Sequence, residues 1–514
     1  MKRAIILGFA TLCALQALAK IELGTPFSEG AVLQRGRSVP VWGKAAPGRE
    51  VAVAFAGAHR STRVGDDGVW MVDLPAMAAS KESRTLTVSE SEPGWFGSET
   101  DRVEVKDVLV GEVWFASGQS NMDCPMINRE VRYRDGNAAL VTEMTRLPCV
   151  RYVKNRHVWS VEPHPHAVTW RQMTPESFRT HGYFSAVAYY YARELYLALD
   201  VPIGIVDASW GGSNIDAWTP RSGYDDCDPS LSEVAGYQVK KDWVKGSDRR
   251  GAVFTAKDQP TVLFNGMVAS WTPMAMRGFI WYQGCCNSAE PQLYCAKMHA
   301  LYRGWVREFR NPDLKLYFVQ LAPFGQNWND LVAAQDRFAA EEKNAEIAVT
   351  ADVGNFDDIH PNQKEIVAKR LVVHALKRDY GFDIAEDRSP VVRSVSVSGD
   401  RLRVGFDHVS EWYVYAANRS REAAFDLAGA DGIWKPAKIV NYRQEKDGRG
   451  NWVETDYVAE PEIALRADGV PAPIRVRYMG RARTSGTLYN QMNLPLGPFE
   501  KGVSDGGKRE VGAR

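Results

Sequence analysis

One serine, one histidine and two aspartates are the residues of this sequence best placed for nucleophilic and acid–base chemistry. Ser120 comes one tight turn after the apolar run 107–116, which has the pattern of a buried strand. A hydroxyl presented there becomes a nucleophile only when a neighbouring base removes its proton. His360 offers an imidazole for that task, and Asp357 and Asp358 precede it by three and two residues. We therefore predict Ser120 as nucleophile and His360 as base.

The same residues also have purely structural interpretations. Ser120 suits the cap of a helix after the strand, and an aspartate suits the cap of a helix beginning near Pro361. Either aspartate can hold the imidazole in the tautomer whose free nitrogen accepts the serine proton. We favour Asp357 as the orienting acid and keep Asp358 as the alternative.

A third segment, 210–218, offers backbone donors to a developing oxyanion. It follows the apolar run 203–208 and contains Gly211 and Gly212, whose N–H groups can face a cleft with no side chain in the way. Each such donor lowers the barrier of acyl transfer by roughly 2.7–4 kcal/mol. A glycine pair alone is equally at home in any tight turn.

A fourth segment, 281–287, offers side-chain donors. Gln283 and Asn287 follow the apolar run 278–282, and either side chain can donate an N–H to the same oxyanion. The alternative is that both satisfy carbonyl groups of their own loop. All four segments thus follow strand-like runs.

Strands that alternate with helices must position these groups. Apolar strand-like runs occupy 107–116, 203–208, 278–282, 314–321 and 345–350, and helical spacing covers 184–199 and 365–376. This pattern over 107–385 predicts an α/β fold, with a parallel sheet that has helices on both faces. The ligand cleft of such a sheet lies beyond the carboxyl ends of its strands.

The flanking regions have the short alternating runs and Gly/Pro turns of β structure. We predict an N-terminal β-sandwich over 20–106 and a C-terminal β-rich domain over 386–502, followed by a disordered polar tail, 503–514. At the start, two basic residues precede the apolar stretch 4–15 and an Ala-x-Ala pattern at 17–19. We expect a cleavable signal peptide over 1–19 and a secreted or periplasmic protein without a membrane span.

Composition narrows the function classes. Lys plus Arg equals Asp plus Glu at 63 each in 514 residues, so no overall field favours nucleic acid. Six cysteines follow the predicted signal peptide, and an even number permits disulfides in an exported protein. No cysteine or histidine group has zinc-site spacing, and we predict no metal and no cofactor.

Taken together, the four segments resemble the sialate O-acetylesterase family of SGNH (GDSL-like) hydrolases. The resemblance runs through most of the chain, in strings such as Phe27-Ser-Glu-Gly-Ala-Val-Leu-Gln34, Gly118-Gln-Ser-Asn-Met122, Ile280-Trp-Tyr-Gln-Gly284, Asp358-Ile-His-Pro361 and Leu488-Tyr-Asn490. It implies an SGNH-type catalytic domain with β-sandwich regions, which needs no metal. It also implies that Ser120 is the nucleophile and His360 the base. The N–H groups of Ser120 and Gly212 would form the oxyanion hole, together with Gln283 or Asn287.

The resemblance implies an esterase that removes O-acetyl groups from carbohydrates, first of all from O-acetylated sialic acid. An esterase of acetylated xylan or another hemicellulose is the alternative. The chain departs from the family pattern at Cys285, where relatives usually carry a glutamate. That change leaves a third interpretation, a glycan-binding homologue without catalysis, although the retained Ser120 and His360 speak against it.

Overall fold

The structure is a computed structural model that describes residues 20–93, 98–126, 142–181, 183–241, 246–247, 253–414, 424–441, 456–458, 461–481 and 483–503. The expected signal peptide lies outside the described residues, as does nearly all of the expected polar tail. None of the helices in these ranges combines the length and the apolar character that a membrane span requires.

The N-terminal region consists of strands whose side chains alternate between buried and exposed. They are β1 (Glu22–Leu23), β2 (Val32–Gln34), β3 (Val39–Lys44), β4 (Glu50–Phe55), β5 (Ala58–Arg63), β6 (Val69–Leu74), β7 (Ser80–Ser91) and β8 (Glu99–Gly118). One sheet has the order β1-β3-β6, and β5, β4, β7 and β8 pair in that order in a second. Alternate residues of β3 and β4 face the core, as the period of two requires.

Strand β8 is shared between two parts of the molecule. Its first half pairs antiparallel with β7, whereas its second half pairs parallel with strands of the central sheet. From Val108 to Gly118 nearly every residue is buried, as expected of a strand covered on both faces. The predicted boundary between residues 106 and 107 therefore falls inside one continuous strand.

The central sheet adds strands that come after β8 in the chain. They are β9 (Val150–Lys154), β10 (Arg171–Gln172), β11 (Ile203–Ser209), β14 (Gly278–Tyr282), β15 (Lys315–Val319) and β16 (Ala345–Ala348), with a small hairpin of β12 (Gly246–Ser247) and β13 (Val253–Phe254) outside the sheet. The order is β10-β9-β11-β8-β14-β15-β16. All neighbours are parallel except the edge strand β10. The chain builds outward on both sides of β8, so a ligand cleft is expected at the carboxyl end of β8.

Helices cover both faces of this sheet. The α-helices of the described residues include Ser120–Asp123, Pro175–His181, Ala186–Leu199, Ser232–Ala235, Pro291–Glu308, Asn329–Glu341 and Lys364–Arg378. Ala186–Leu199 packs with Lys364–Arg378, and Pro291–Glu308 with Asn329–Glu341. Neighbouring residues of β8 belong to opposite clusters, because Trp114 packs with the first helix pair and Phe115 with the second.

The C-terminal region returns to antiparallel sheets. Its strands are β17 (Val391–Ser398), β18 (Arg401–Asp407), β19 (Trp412–Val414), β20 (Phe425–Ala428), β21 (Lys435–Ile439), β22 (Asp456–Val458), β23 (Glu462–Ala467), β24 (Arg475–Tyr478), β25 (Leu488–Tyr489) and β26 (Phe499–Gly502). Seven of them form the order β17-β18-β23-β21-β20-β24-β26, and three form β22-β19-β25. Their core also includes Val349 and Ala351, which follow β16.

The predicted fold class is confirmed: a parallel sheet with helices on both faces, flanked by β regions. The exact domain limits stay a prediction. One local expectation was wrong, because the last helix begins at Lys364 and not near Pro361. Pro361 instead offers its carbonyl oxygen to the Lys364 ammonium at 2.8 Å.

Candidate active site

Ser120 and His360 meet at the carboxyl edge of the central sheet. Ser120 is the first residue of the short helix after β8, and His360 lies in the loop between β16 and the helix Lys364–Arg378. The Ser120 Oγ lies 2.9 Å from the His360 Nε2, although 240 residues separate them in the chain. This is hydrogen-bonding distance, and it suits transfer of the hydroxyl proton to the ring.

Asp358, not Asp357, lies against the imidazole. The Asp358 Oδ1 is 3.3 Å from the His360 Nδ1 and also accepts the His360 backbone N–H at 3.0 Å. The Asp357 carboxylate lies elsewhere, 2.9 Å from a guanidinium nitrogen of Arg483, and its side chain is 80% exposed. The preferred expectation of Asp357 as the orienting acid does not fit this geometry, and the alternative does. The hydrogen bond from the His360 backbone N–H to the Asp358 carboxylate holds Asp358 beside the ring.

Two backbone N–H groups are available to an oxyanion beside Ser120. A Cβ placed on Gly211 would lie only 3.4 Å from the Ser120 Cβ, so the segment 210–213 runs directly past the serine. Gly212 has a φ of +65°, in the left-handed region that glycine adopts without strain. Among the described residues, the N–H groups of Ser120 and Gly212 donate to no other group.

Gln283 and Asn287 are committed to other partners. The Gln283 Nε2 donates to the Ser213 carbonyl at 3.2 Å and to the Asn287 Oδ1 at 2.7 Å, which uses both of its hydrogens. The Asn287 Nδ2 donates to Glu290, and both side chains are at most 1% exposed. The expectation that Gln283 donates to the oxyanion therefore does not fit the structure. The Asn287 Nδ2 has a second hydrogen beyond the one that Glu290 accepts, so its donation to the oxyanion stays a prediction. Both side chains hold the segment that contains Gly212. Gln283 does so through the Ser213 carbonyl, and the Asn287 Oδ1 accepts the Ile215 N–H.

The amides on either side of Ser120 are site residues to which the sequence reasoning gave no role. The Gln119 Oε1 accepts the N–H groups of Gly284 and Cys286, at 3.1 and 3.3 Å. The Asn121 Nδ2 donates to the Ile359 carbonyl at 3.0 Å, which joins the serine helix to the histidine loop. Their positions beside the serine in the string 118–122 were the signal available in the sequence.

Cys285 is the position where the resemblance to the family implies a glutamate. Burial raises the pKa of its thiol to about 12, so the group is a neutral thiol at physiological pH. A protonated thiol is a poor nucleophile, which argues against Cys285 as a rival to Ser120. All six cysteines in the described ranges are free, so the disulfides that the sequence permitted do not form here.

One group of potential metal ligands is present in the described residues, away from the serine. Ligand atoms of Cys295, His299 and Glu341 all lie within 4.8 Å of one another on two packed helices. The Arg337 Nε donates to the Cys295 Sγ at 3.2 Å and lies 3.4 Å from Glu341. A guanidinium therefore already supplies the positive charge that a metal would bring, and we assign no metal to this group.

The fold, together with the contacts among Ser120, His360 and Asp358, is that of a carboxylic ester hydrolase. The sequence model of the family described as "Carbohydrate esterase, sialic acid-specific acetylesterase" matches residues 110–372, about half of the chain and most of the central sheet. The chain belongs to this family.

Individual relatives agree with that assignment. Sialate O-acetylesterase of Homo sapiens is 27% identical over 383 residues, which cover 66% of this chain and 67% of the relative. Sialate O-acetylesterase of Mus musculus is 25% identical over 429 residues, which cover 73% and 77%. Among solved structures, a carbohydrate acetylesterase from Xanthomonas citri is 31% identical with a TM-score of 0.74, and the match covers 94% of this chain and 100% of that chain.

Proposed function

We propose that the protein is a secreted serine esterase that removes O-acetyl groups from carbohydrates through an acetyl-enzyme intermediate. The observation that carries the proposal is the 2.9 Å contact between the Ser120 Oγ and the His360 Nε2, with Asp358 on the opposite nitrogen of the ring. O-acetylated sialic acid is the first proposed substrate.

In the first half-reaction the Ser120 oxygen attacks the acetyl carbonyl as its proton moves to the His360 Nε2. Asp358 accepts the Nδ1–H and stabilises the imidazolium. The carbonyl oxygen becomes an oxyanion against the N–H groups of Ser120 and Gly212. The bond to the sugar oxygen then breaks, and His360 returns its proton to the departing alcohol. Acetyl-Ser120 remains.

In the second half-reaction a water molecule gives its proton to His360 and attacks acetyl-Ser120. The same two N–H groups receive the second oxyanion, and collapse releases acetate as the proton returns to the Ser120 oxygen. Apart from the ester and water, the steps use only Ser120, His360, Asp358 and the Gly212 N–H. The sugar hydroxyl and acetate are the products.

The test compares the wild type with Ser120→Ala on p-nitrophenyl acetate. We expect Ser120→Ala to lose at least about 10³-fold in kcat/KM, because removal of the nucleophile leaves only the positioned donors. Cys286→Ala is the matched control, since it removes the exposed thiol of the neighbouring loop and should keep the wild-type rate. Equal rates for wild type and Ser120→Ala would end the esterase proposal and favour a glycan-binding homologue.

The substrate follows from acetate release under identical conditions. The relatives named sialate O-acetylesterase support O-acetylated sialic acid, whereas the Xanthomonas citri protein is titled only as a carbohydrate acetylesterase. We expect faster release from 9-O-acetylated sialic acid than from acetylated xylan. The reverse ranking would retain the esterase and replace its substrate by a hemicellulose.

Export is a separate proposal, supported by the basic, apolar and Ala-x-Ala pattern of residues 1–19. We expect the protein recovered from the periplasm or the medium to begin at Lys20. N-terminal sequencing of that protein measures this directly, and an N-terminus that retains residues 1–19 would contradict cleavage.

A further inference from the structure

We propose that Asp123 is a positioning residue for the reaction: its carboxylate holds the glycine segment so that the Gly212 N–H faces the reacting carbonyl. This inference rests on the proposed function. We call residues 209–213 the oxyanion loop.

Asp123 joins the serine helix to the oxyanion loop. It is the last residue of the helix Ser120–Asp123, one turn after the nucleophile. Its Oδ2 accepts the Gly211 N–H at 3.1 Å, and Gly211 directly precedes the proposed oxyanion donor. The nucleophile and the donor thus belong to two segments that this one carboxylate fastens together.

The charge that keeps this contact strong comes from Lys154 at the end of β9. Its ammonium lies 2.6 Å from the Asp123 Oδ1 and 3.0 Å from the Asp207 Oδ2. Burial acts to raise the pKa of Asp123, but hydrogen bonding to His157 and the Lys154 ammonium together hold it below its usual value. Asp123 is therefore ionised, and an ionised acceptor makes a stronger hydrogen bond to a backbone N–H than a neutral one does.

The rest of the oxyanion loop is held on both sides of Gly212. The Trp210 N–H donates to the Gly118 carbonyl at 3.1 Å, and the His157 ring stacks on Trp210 with centroids 4.7 Å apart. Beyond it, the Lys257 ammonium lies 2.5 Å from the Gly212 carbonyl oxygen. The N–H groups of Trp210 and Gly211 and the Gly212 carbonyl thus have partners, while the Gly212 N–H donates to no group in the described residues. The Asp123 contact is the one that reaches the loop from the nucleophile's own helix.

Two substitutions separate charge from geometry. In Asp123→Asn one end of the amide must present its NH₂ either to the Lys154 ammonium or to the Gly211 N–H, so one contact becomes repulsive. Asp123→Glu keeps the charge for Lys154 but moves the oxygen away from Gly211 by one methylene. Folding should survive in both, because Lys154 retains Asp207.

We expect kcat on p-nitrophenyl acetate to fall about 10- to 100-fold in both variants, with KM changed less than about 3-fold. Loss of a whole oxyanion donor costs about 10²–10³, and a displaced donor costs less. The kcat-against-KM split is the readout that a merely structural ion pair would not produce. Asp426→Asn is the matched control: Asp426 is a buried carboxylate paired with Arg477 at 2.9 Å in the C-terminal sheet, and its loss should leave kcat unchanged.

A folded Asp123→Glu variant with the wild-type kcat would overturn the inference, as would an equal loss of kcat in Asp426→Asn. The Ser120→Ala assay separates this result from failure of the proposed function. If wild type hydrolyses the ester and Ser120→Ala does not, an active Asp123→Glu refutes only the role of Asp123. If Ser120→Ala is as active as wild type, the esterase mechanism itself fails.

Discussion

Replacing each of the two neighbouring aspartates by asparagine tests the assignment of the orienting acid. Asp358→Asn removes the charge beside the His360 Nδ1 and allows the wrong ring tautomer. Asp357→Asn changes a carboxylate one residue away whose contact is an exposed pair with Arg483. The two substitutions are chemically identical and adjacent, so each is a control for the other.

The expected loss follows from the geometry of the contact. In a buried triad the same substitution costs about 10⁴ in kcat. Here the Asp358 to His360 distance is 3.3 Å, and the two side chains are 28% and 40% exposed, so solvent screens the pair. We expect Asp358→Asn to lower kcat roughly 10²- to 10³-fold, which is about 2.7–4 kcal/mol of barrier. Asp357→Asn should stay within about 3-fold of wild type, because exposed pairs contribute about 0–1 kcal/mol.

The assay is steady-state hydrolysis of p-nitrophenyl acetate, with kcat and KM measured separately for each variant. Thermal unfolding of both variants checks that a lower rate does not come from unfolded protein. A larger fall in kcat for Asp357→Asn than for Asp358→Asn would refute the reasoning and return the role to Asp357. Equal, small effects would mean that no carboxylate of this loop orients the ring.

Three further predictions concern stability and the thiols. A Cβ on Gly118 (φ +135°) would lie 2.3 Å from the Tyr282 carbonyl oxygen, so Gly118→Ala should cost more than about 2 kcal/mol in urea unfolding. Gly36→Ala (φ +73°, open space) should cost about 1 kcal/mol, and equal costs would contradict the clash. Burial raises the pKa of Asp336 from 3.8 to about 7, which favours its neutral form in the folded state, so its contribution to stability falls as pH rises from about 4 through 7. The change in the free energy of unfolding caused by Asp336→Asn should therefore be more favourable at pH 8 than at pH 5, by on the order of 2 kcal/mol in denaturant titrations. The same change at both pH values would contradict the assignment. Alkylation of the denatured, unreduced mature protein should modify six thiols, and fewer would indicate a disulfide.

The sequence predicted the architecture well because the strands of a doubly covered sheet read as nearly continuous apolar runs. The runs 203–208 and 278–282 correspond closely to β11 and β14. The contact of Ser120 with His360 also follows from strand order, since both residues come after parallel strands and those strand ends share one edge.

The roles of individual polar side chains were harder to predict, because they depend on hydrogen bonds between distant segments. Asp357 and Asp358 are indistinguishable in a string, and only the path of the loop separates them. Gln283 has the right chemistry for an oxyanion donor, yet Ser213 and Asn287 take both of its hydrogens. The same limit explains why Asp123 went unnoticed: its partner Gly211 lies 88 residues away.

Strand β8 has a mechanical consequence for the whole molecule. The first half of β8 pairs with β7, and the second half ends at Gly118, two residues before Ser120. At the crossover, Glu112 is wholly buried and accepts hydrogen bonds from Gln34, Arg35 and Arg277. Loosening the amino-terminal sheet would therefore disturb the strand that leads to the Ser120 hydroxyl. We expect a chain shortened to begin at residue 107 to lose hydrolysis of p-nitrophenyl acetate, because β8 would lose its pairing with β7.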